Sequence, residues 1–168
     1  VVLDREVDGI PIKIGVIGFL PPEIMMWDRV LLEGRVYVEP IADAAAKYIP
    51  ELREEGVDLV IVALHQGTSD AEAILENVEG IDAIIMGHSH GRIAEKIDGV
   101  PVTMAGSWGN SLGLIHFQLL NRDGKWEVFS SFPQLWYVDE TIEAASEIVE
   151  AVKEQHEATI DYVMAPVG

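Results

Sequence analysis

Two short apolar runs, each passing without a spacer into a loop of glycine and histidine, constrain this chain more than any other feature. Residues 57–64 (VDLVIVAL) lead into His65-Gln66-Gly67, and residues 81–86 (IDAIIM) lead into Gly87-His88-Ser89-His90-Gly91. Runs of this length, rich in β-branched residues and lacking polar alternation, suit strands covered on both faces, as in parallel sheets. Residues 70–78 between them have the character of a short helix, which gives the β–α–β order of a parallel crossover. Parallel neighbours finish at the same sheet edge, and open α/β sheets bind ligands in the crevice beyond the carboxyl ends of their strands. The pattern therefore predicts an α/β fold that gathers His65, His88 and His90 at one edge.

The remaining segments extend this reading. Residues 1–7 alternate, Asp8-Gly9 is a hairpin signal, and residues 10–20 (IPIKIGVIGFL) form the return strand, ended by Pro21-Pro22. Residues 23–38 are expected to be a long loop with a short strand at its end, and Met25-Met26-Trp27 within it a plug over the core edge. Pro40 opens a helix that Gly56 terminates, with a kink or break expected at Pro50. Asp98-Gly99 marks a second hairpin with return strand 100–104, and a glycine-rich loop follows at 105–113. Strands are expected at 112–120 and 126–137, joined by Asn121-Arg122-Asp123-Gly124. An apolar stripe through Ile142, Ala145, Val149, Val152, His156 and Ile160 predicts one amphipathic helix over 140–164. Residues 165–168 read as an extended exit. The order of elements is that of an α/β fold with an antiparallel extension.

The charge balance narrows the chemistry. Eleven Lys and Arg against twenty-nine Asp and Glu leave a net charge of −18 over 168 residues. So acidic a chain repels polyanions, which argues against nucleic-acid polymers and anionic membranes as partners. A phosphate substrate would require bound cations to reverse the local field. The absence of cysteine excludes disulfides, thiolate metal sites and cysteine nucleophiles. No apolar run approaches the roughly 20 residues of a membrane-spanning helix. The chain opens on Val1-Val2-Leu3 rather than Met, so it is expected to begin within a longer protein or after processing.

Imidazole is the commonest protein ligand for zinc and also suits manganese and iron. Two histidines at i and i+2 on a glycine-flanked loop can share one metal or reach two side by side. His116, inside a strand pattern, and His156, on a helix stripe, read as packing or surface residues. Trp108 and Asn110 lie on the glycine-rich loop, where backbone N–H groups can approach phosphate or ribose. They are candidate substrate contacts, with Gly106, Gly109 and Gly113 more simply turn glycines.

Ala63-Leu64-His65-Gln66-Gly67, Gly87-His88-Ser89-His90 and Ala105-Gly106-Ser107-Trp108-Gly109-Asn110-Ser111-Leu112-Gly113 together resemble the second half of a calcineurin-like metallophosphoesterase domain. The stretch Ile14–Met25, with Pro21-Pro22 and the following Trp27-Asp28, is similar to one subgroup of the 5′-nucleotidase family, the bacterial 2′,3′-cyclic-nucleotide 2′-phosphodiesterase/3′-nucleotidases. The resemblance spans nearly the whole chain. It implies part of a four-layer α/β/β/α sandwich with mixed sheets. Residues 1–138 would be the second half of the metallophosphoesterase domain. Residues 139–168 would be a terminal helix leading toward a C-terminal nucleotidase domain.

The same resemblance implies a periplasmic or otherwise extracytoplasmic hydrolase. It would act on 2′,3′-cyclic nucleotides and then 3′-nucleotides through a hydroxide bridging two divalent metals, zinc, manganese or similar. His65 and His88 would bind the second metal and His90 the first. The family's Asp-x-His and Gly-Asn-His motifs do not occur here, since the one Gly-Asn, Gly109-Asn110, is followed by Ser111. The chain by itself is therefore expected to lack the bridging carboxylate and the leaving-group acid, to bind one metal weakly or none, and to be inactive. Its expected partners are a nucleotide substrate and either the first half of the domain or a homodimer mate. Gln66, where a small residue is usual, and the short spacings from His65 to His88 and from His90 to Val100 depart from the subgroup. The alternatives are a non-catalytic α/β binding or assembly module with a residual three-histidine site, and a mononuclear three-histidine zinc hydrolase.

Overall fold

A computed structural model describes residues 1–166, in two compact units, residues 1–137 and residues from 138 onward. The first unit is built on a six-stranded mixed sheet of order β1-β2-β3-β4-β6-β5. Its strands are β1 (Val2–Val7), β2 (Ile10–Phe19), β3 (Leu59–Leu64), β4 (Ala83–Met86), β5 (Arg92–Ile97) and β6 (Val100–Ala105). Strands β2, β3, β4 and β6 run parallel, and β1 and β5 close the two edges as antiparallel hairpin partners. Each hairpin turns on an Asp-Gly pair in the left-handed region, Asp8-Gly9 and Asp98-Gly99, as expected for type I′ geometry.

Register sorts the strand residues onto two faces. Val60, Val62 and Leu64 of β3 align with Ile84 and Met86 of β4 and with Val102 and Met104 of β6. Helices α3 (Ile41–Glu54) and α4 (Thr68–Asn77) cover this face with Ile41, Ala45, Ile49, Ala71 and Ile74, which completes one core cluster. Burying side chains such as Val60 or Ile84 is worth about 1.5–3 kcal/mol each. On the opposite face a long hairpin of β7 (Ser111–Arg122) and β8 (Lys125–Tyr137) packs near β6. Gly113 lies so close to Thr103 that a methyl group there would meet the threonine side chain at 3.2 Å. Farther along this face Ala63 and Ile85 stand exposed, Ile85 by 51%.

Three segments depart from the sequence reading. Residues 23–38 hold two one-turn helices, α1 (Ile24–Trp27) and α2 (Arg29–Leu32), and no strand. The turn starts because carbonyls of the double proline accept from the next turn, Pro21 O from Ile24 N and Pro22 O from Met25 N. The helix α3 continues through Pro50 without a break. The N–H that proline lacks would have bonded Ala46 O, and both residues are exposed, so water can satisfy that carbonyl. Gly56 ends the helix in the left-handed region, its N–H donating to Arg53 O. In the second unit, α5 (Ser146–Met164) starts later than the apolar stripe suggests. Residue Asp139 instead accepts hydrogen bonds from the N–H and hydroxyl of Thr141 in a turn, which holds its carboxyl below the usual range. Of the exit expected at 165–168, Val167 and Gly168 lie outside the described residues.

A polar clasp fixes α3 to the strands that carry the histidines. The Arg53 guanidinium donates to Gly80 O, Asp58 O and the Asp82 carboxylate, and Asp82 also accepts from Val60 N at 2.7 Å. Removing the carboxylate takes the acceptor from the partly buried Arg53 Nη2 and from the strand N–H of Val60, while Arg53 keeps its bonds to Gly80 O and Asp58 O. Asp82→Ala is expected to cost about 2–3 kcal/mol in urea unfolding. Asp82→Asn, which keeps an acceptor, should lose distinctly less.

Candidate functional site

The parallel ladder continues one residue past its strands. The His65 N–H donates to Phe19 O, and the Gly87 N–H donates to Leu64 O, both at 3.0 Å. Backbone pairing therefore delivers His65 and the Gly87–Gly91 loop to the same edge, at the carboxyl ends of β3 and β4. The His65 and His88 rings face each other there, with centroids 5.0 Å apart and planes tilted by 59°. His90 follows on the same loop, exposed like the other two. His88 and His90 both occupy the left-handed region, with φ of 67° and 59°. Histidine is among the side chains that tolerate this conformation, though at a cost, and such strained positions gather at functional sites.

Met104, at the end of β6 and 1% exposed, holds the loop from beneath. Its thioether sulfur accepts from Gly91 N at 3.0 Å and from Ser89 Oγ at 3.2 Å. A side chain at Gly91 would press on that sulfur, its Cβ arriving at 3.2 Å. Gly91 O in turn accepts from Gly106 N at 2.8 Å, which joins the histidine loop to the glycine-rich loop. That second loop is closed at its base by buried Ser111, whose hydroxyl donates to Ala105 O. On it Trp108 is 95% exposed, whereas the Asn110 side-chain oxygen is turned inward, buried and without a partner.

Above the histidines lies Trp27, whose indole stacks on the His88 ring at 5.0 Å between centroids and 20° between planes. Beside them opens an apolar trough of about 490 Å³, lined by Gly18, Leu20, Ala63, His65, Ile85 and Gly87. His116 lies away from this edge, on β7, stacked on Phe132 and within 3.2 Å of Gln134. The chemistry of the pair suits a cation, since two imidazoles at the ends of adjacent strands supply part of a ligand set. Among the described residues no three His, Asp or Glu side chains converge as a metal-holding group. A closed coordination shell would need further donors.

Neither Trp27 nor Met104 is identified by the sequence as part of the site. Met104 carries no local signal, since only the pairing of β4 with β6 places it under the loop. Trp27 stands in an apolar cluster after a double proline, which signals a covering segment but not the ring it covers.

The architecture is that of calcineurin-like phosphoesterases. It superposes on the calcineurin-like phosphoesterase YfkN of Bacillus subtilis with a TM-score of 0.85 and 31% identity, over 98% of this chain and 58% of that one. It shares its fold with a 5′-nucleotidase precursor from Thermus thermophilus at a TM-score of 0.69 and 19% identity, over 99% of this chain and 35% of that one. Among curated relatives, the 2′,3′-cyclic-nucleotide 2′-phosphodiesterase/3′-nucleotidase of Salmonella typhimurium is 34% identical over 196 residues, covering 99% of this chain and 30% of that protein. The trifunctional nucleotide phosphoesterase YfkN of Bacillus subtilis is 36% identical over 191 residues, covering 99% of this chain and 13% of that protein. Those alignments are longer than the 168 residues here, so the relatives carry residues within the aligned region that this chain lacks. No family model matches the chain. The chain is thus homologous, end to end, to a portion of the cyclic-nucleotide phosphodiesterase/3′-nucleotidases and spans about 30% of their length.

The Met104 anchor generates a test. Met104→Leu preserves core volume and is expected to cost less than about 1.5 kcal/mol in global stability. It removes the acceptor for Gly91, so hydrogen exchange at that amide should accelerate well beyond the change at Met86 or Val102.

Proposed function

We propose that this chain is the part of a dinuclear metallophosphoesterase that supplies His65, His88 and His90 to the metal centre. The longer protein would hydrolyse 2′,3′-cyclic nucleotides to 3′-nucleotides and then to nucleosides and phosphate. The observation that supports this most is the juxtaposition of His65 and His88 at the ends of adjacent parallel strands, in a chain homologous throughout to enzymes so named. Divalent cations bound there would neutralise phosphate charge and lower the pKa of an attacking water. They would also answer the charge of −18, which otherwise repels an anionic substrate.

The chain's own contribution is positional. Ladder hydrogen bonds set His65 and Gly87, Met104 anchors the His88–His90 loop, and the link from Gly106 to Gly91 ties the loop carrying Trp108 and Asn110 to it, where these two would contact substrate. The remaining metal ligands, the bridging carboxylate and the leaving-group acid would come from regions of the longer protein outside the aligned portion. The exposed Ala63 and Ile85 face would pack against such a region. An extracytoplasmic location accords with this reading, and no helix among the described residues is long and apolar enough to cross a membrane.

Two proteins test the proposal, the 168-residue chain and the longer protein that contains it. The chain alone should hydrolyse bis-p-nitrophenyl phosphate and 2′,3′-cyclic AMP at background rates. The longer protein should be active, should lose activity to EDTA, and should fall about a hundredfold or more in kcat/KM with His65→Ala or His88→Ala. Robust EDTA-sensitive turnover by the chain alone would instead favour a mononuclear zinc hydrolase.

A further inference from the structure

Among the described residues the aromatic rings set against His88 are those of His65 and Trp27. A histidine ring turns about a broad, roughly two-fold torsion, so its rotamer alone does not fix the plane in which its nitrogens point. Metal-binding histidines usually solve this by donating their second N–H to a carboxylate or carbonyl. Among the described residues no side-chain hydrogen bond fixes the His88 ring, which is exposed on a left-handed backbone position. What it has instead is the near-parallel stack on the indole, 5.0 Å between centroids.

The segment that carries the indole is itself held in place. The Trp27 backbone N–H donates to Glu23 O in the single turn of α1, and that turn hangs from the carbonyls of Pro21, which is buried, and Pro22. Yet Trp27 remains 50% exposed, so burial in the core does not account for its position. A rigid, amphipathic ring on an anchored turn, half open to solvent, is suited to support another ring. An imidazole that ligates a dication gains positive character, and the face of an indole attracts such charge.

We propose that Trp27 is a positioning residue for His88, a stacking platform that sets the imidazole plane beside His65 so that a ring nitrogen is presented to a cation. This rests on the reading of His65 and His88 as metal ligands. It adds a residue from a different segment, the turn after Pro21-Pro22, to the support of the site. Aromatic stacking, rather than bulk, is what the role demands, so phenylalanine should replace tryptophan and alanine should not.

The test uses zinc itself, in competition with a chromophoric chelator, on the longer protein that would supply the remaining ligands and on its Trp27→Ala, Trp27→Phe and double His65→Ala/His88→Ala variants. Histidine ring-proton shifts are recorded on the same proteins, with thermal midpoints as the control for folding. Stacking on the indole should move the His88 ring protons upfield in the parent chain, and the shift should vanish in Trp27→Ala. Zinc affinity should weaken about tenfold in Trp27→Ala and stay within about twofold of the parent in Trp27→Phe. Thermal midpoints should change little, because the side chain is half exposed. If the upfield shift is present but Trp27→Ala binds zinc as tightly as the parent, the positioning role is overturned and the metal reading stands. Equal weakening by alanine and phenylalanine also overturns it. If the parent binds zinc no better than the double histidine variant, the metal reading fails and the role assigned to Trp27 fails with it.

Discussion

The parallel pairing of β2, β3, β4 and β6 is the constraint on which the rest depends. Its register brings Phe19, Leu64 and Met86 into line, with Met104 opposite Met86, so four strands finish at one level. Because the hydrogen bonds continue to His65 and Gly87, the first residues of both loops are placed with the precision of the sheet. Loops on rigid strand ends are where α/β proteins keep their binding groups. A one-residue slip of β4 would exchange its two faces, sending Ile84 and Met86 out of the core and carrying His88 away from His65.

Around that edge, support comes from segments far apart in the chain. Met104 grips the histidine loop from below, Trp27 covers His88, and Gly106 fastens the glycine-rich loop to Gly91. Gly106 has φ +74°, and a Cβ there would come within 2.8 Å of the Asn110 side-chain oxygen, so the position excludes larger residues. The opposite sheet face is less complete. The β7–β8 hairpin covers it near β6, while Ala63 and Ile85 stay open beside the histidines. Helix layer, sheet and hairpin account for three layers of the kind expected from a four-layer sandwich.

Much of this is legible in the residues. The unalternating runs at 57–64 and 81–86 announce buried parallel strands, the Asp-Gly pairs announce both edge hairpins, and the histidines directly after the runs announce a shared edge. These signals are local, which is why they survive without tertiary information. Residues 23–38 escape the reading because α1 is started by proline carbonyls and its Trp27 rests on His88, while α2 follows as a single turn on Asp28 O, and none of this leaves a periodic signature. Pro50 does not break its helix because an exposed Ala46 carbonyl makes a mid-helix proline tolerable. The two supports of His88 and its loop are invisible in the sequence, since each depends on which strand or turn arrives from elsewhere. His90 is read from its place two residues after His88, and Trp108 and Asn110 from the glycine-rich loop; among the described residues these three side chains make no hydrogen bond that would fix a role.

The central claim is that the ends of β3 and β4 present His65 and His88 jointly to a divalent cation. Anomalous diffraction from zinc-soaked crystals of the longer protein proposed above, which would supply the remaining ligands, recorded on both sides of the zinc edge, addresses it directly. The account predicts a peak within bonding distance, about 2.0–2.1 Å, of one nitrogen on each of the two rings. A peak bound only at His116 or His156, or none at the strand ends under saturating zinc, would contradict it.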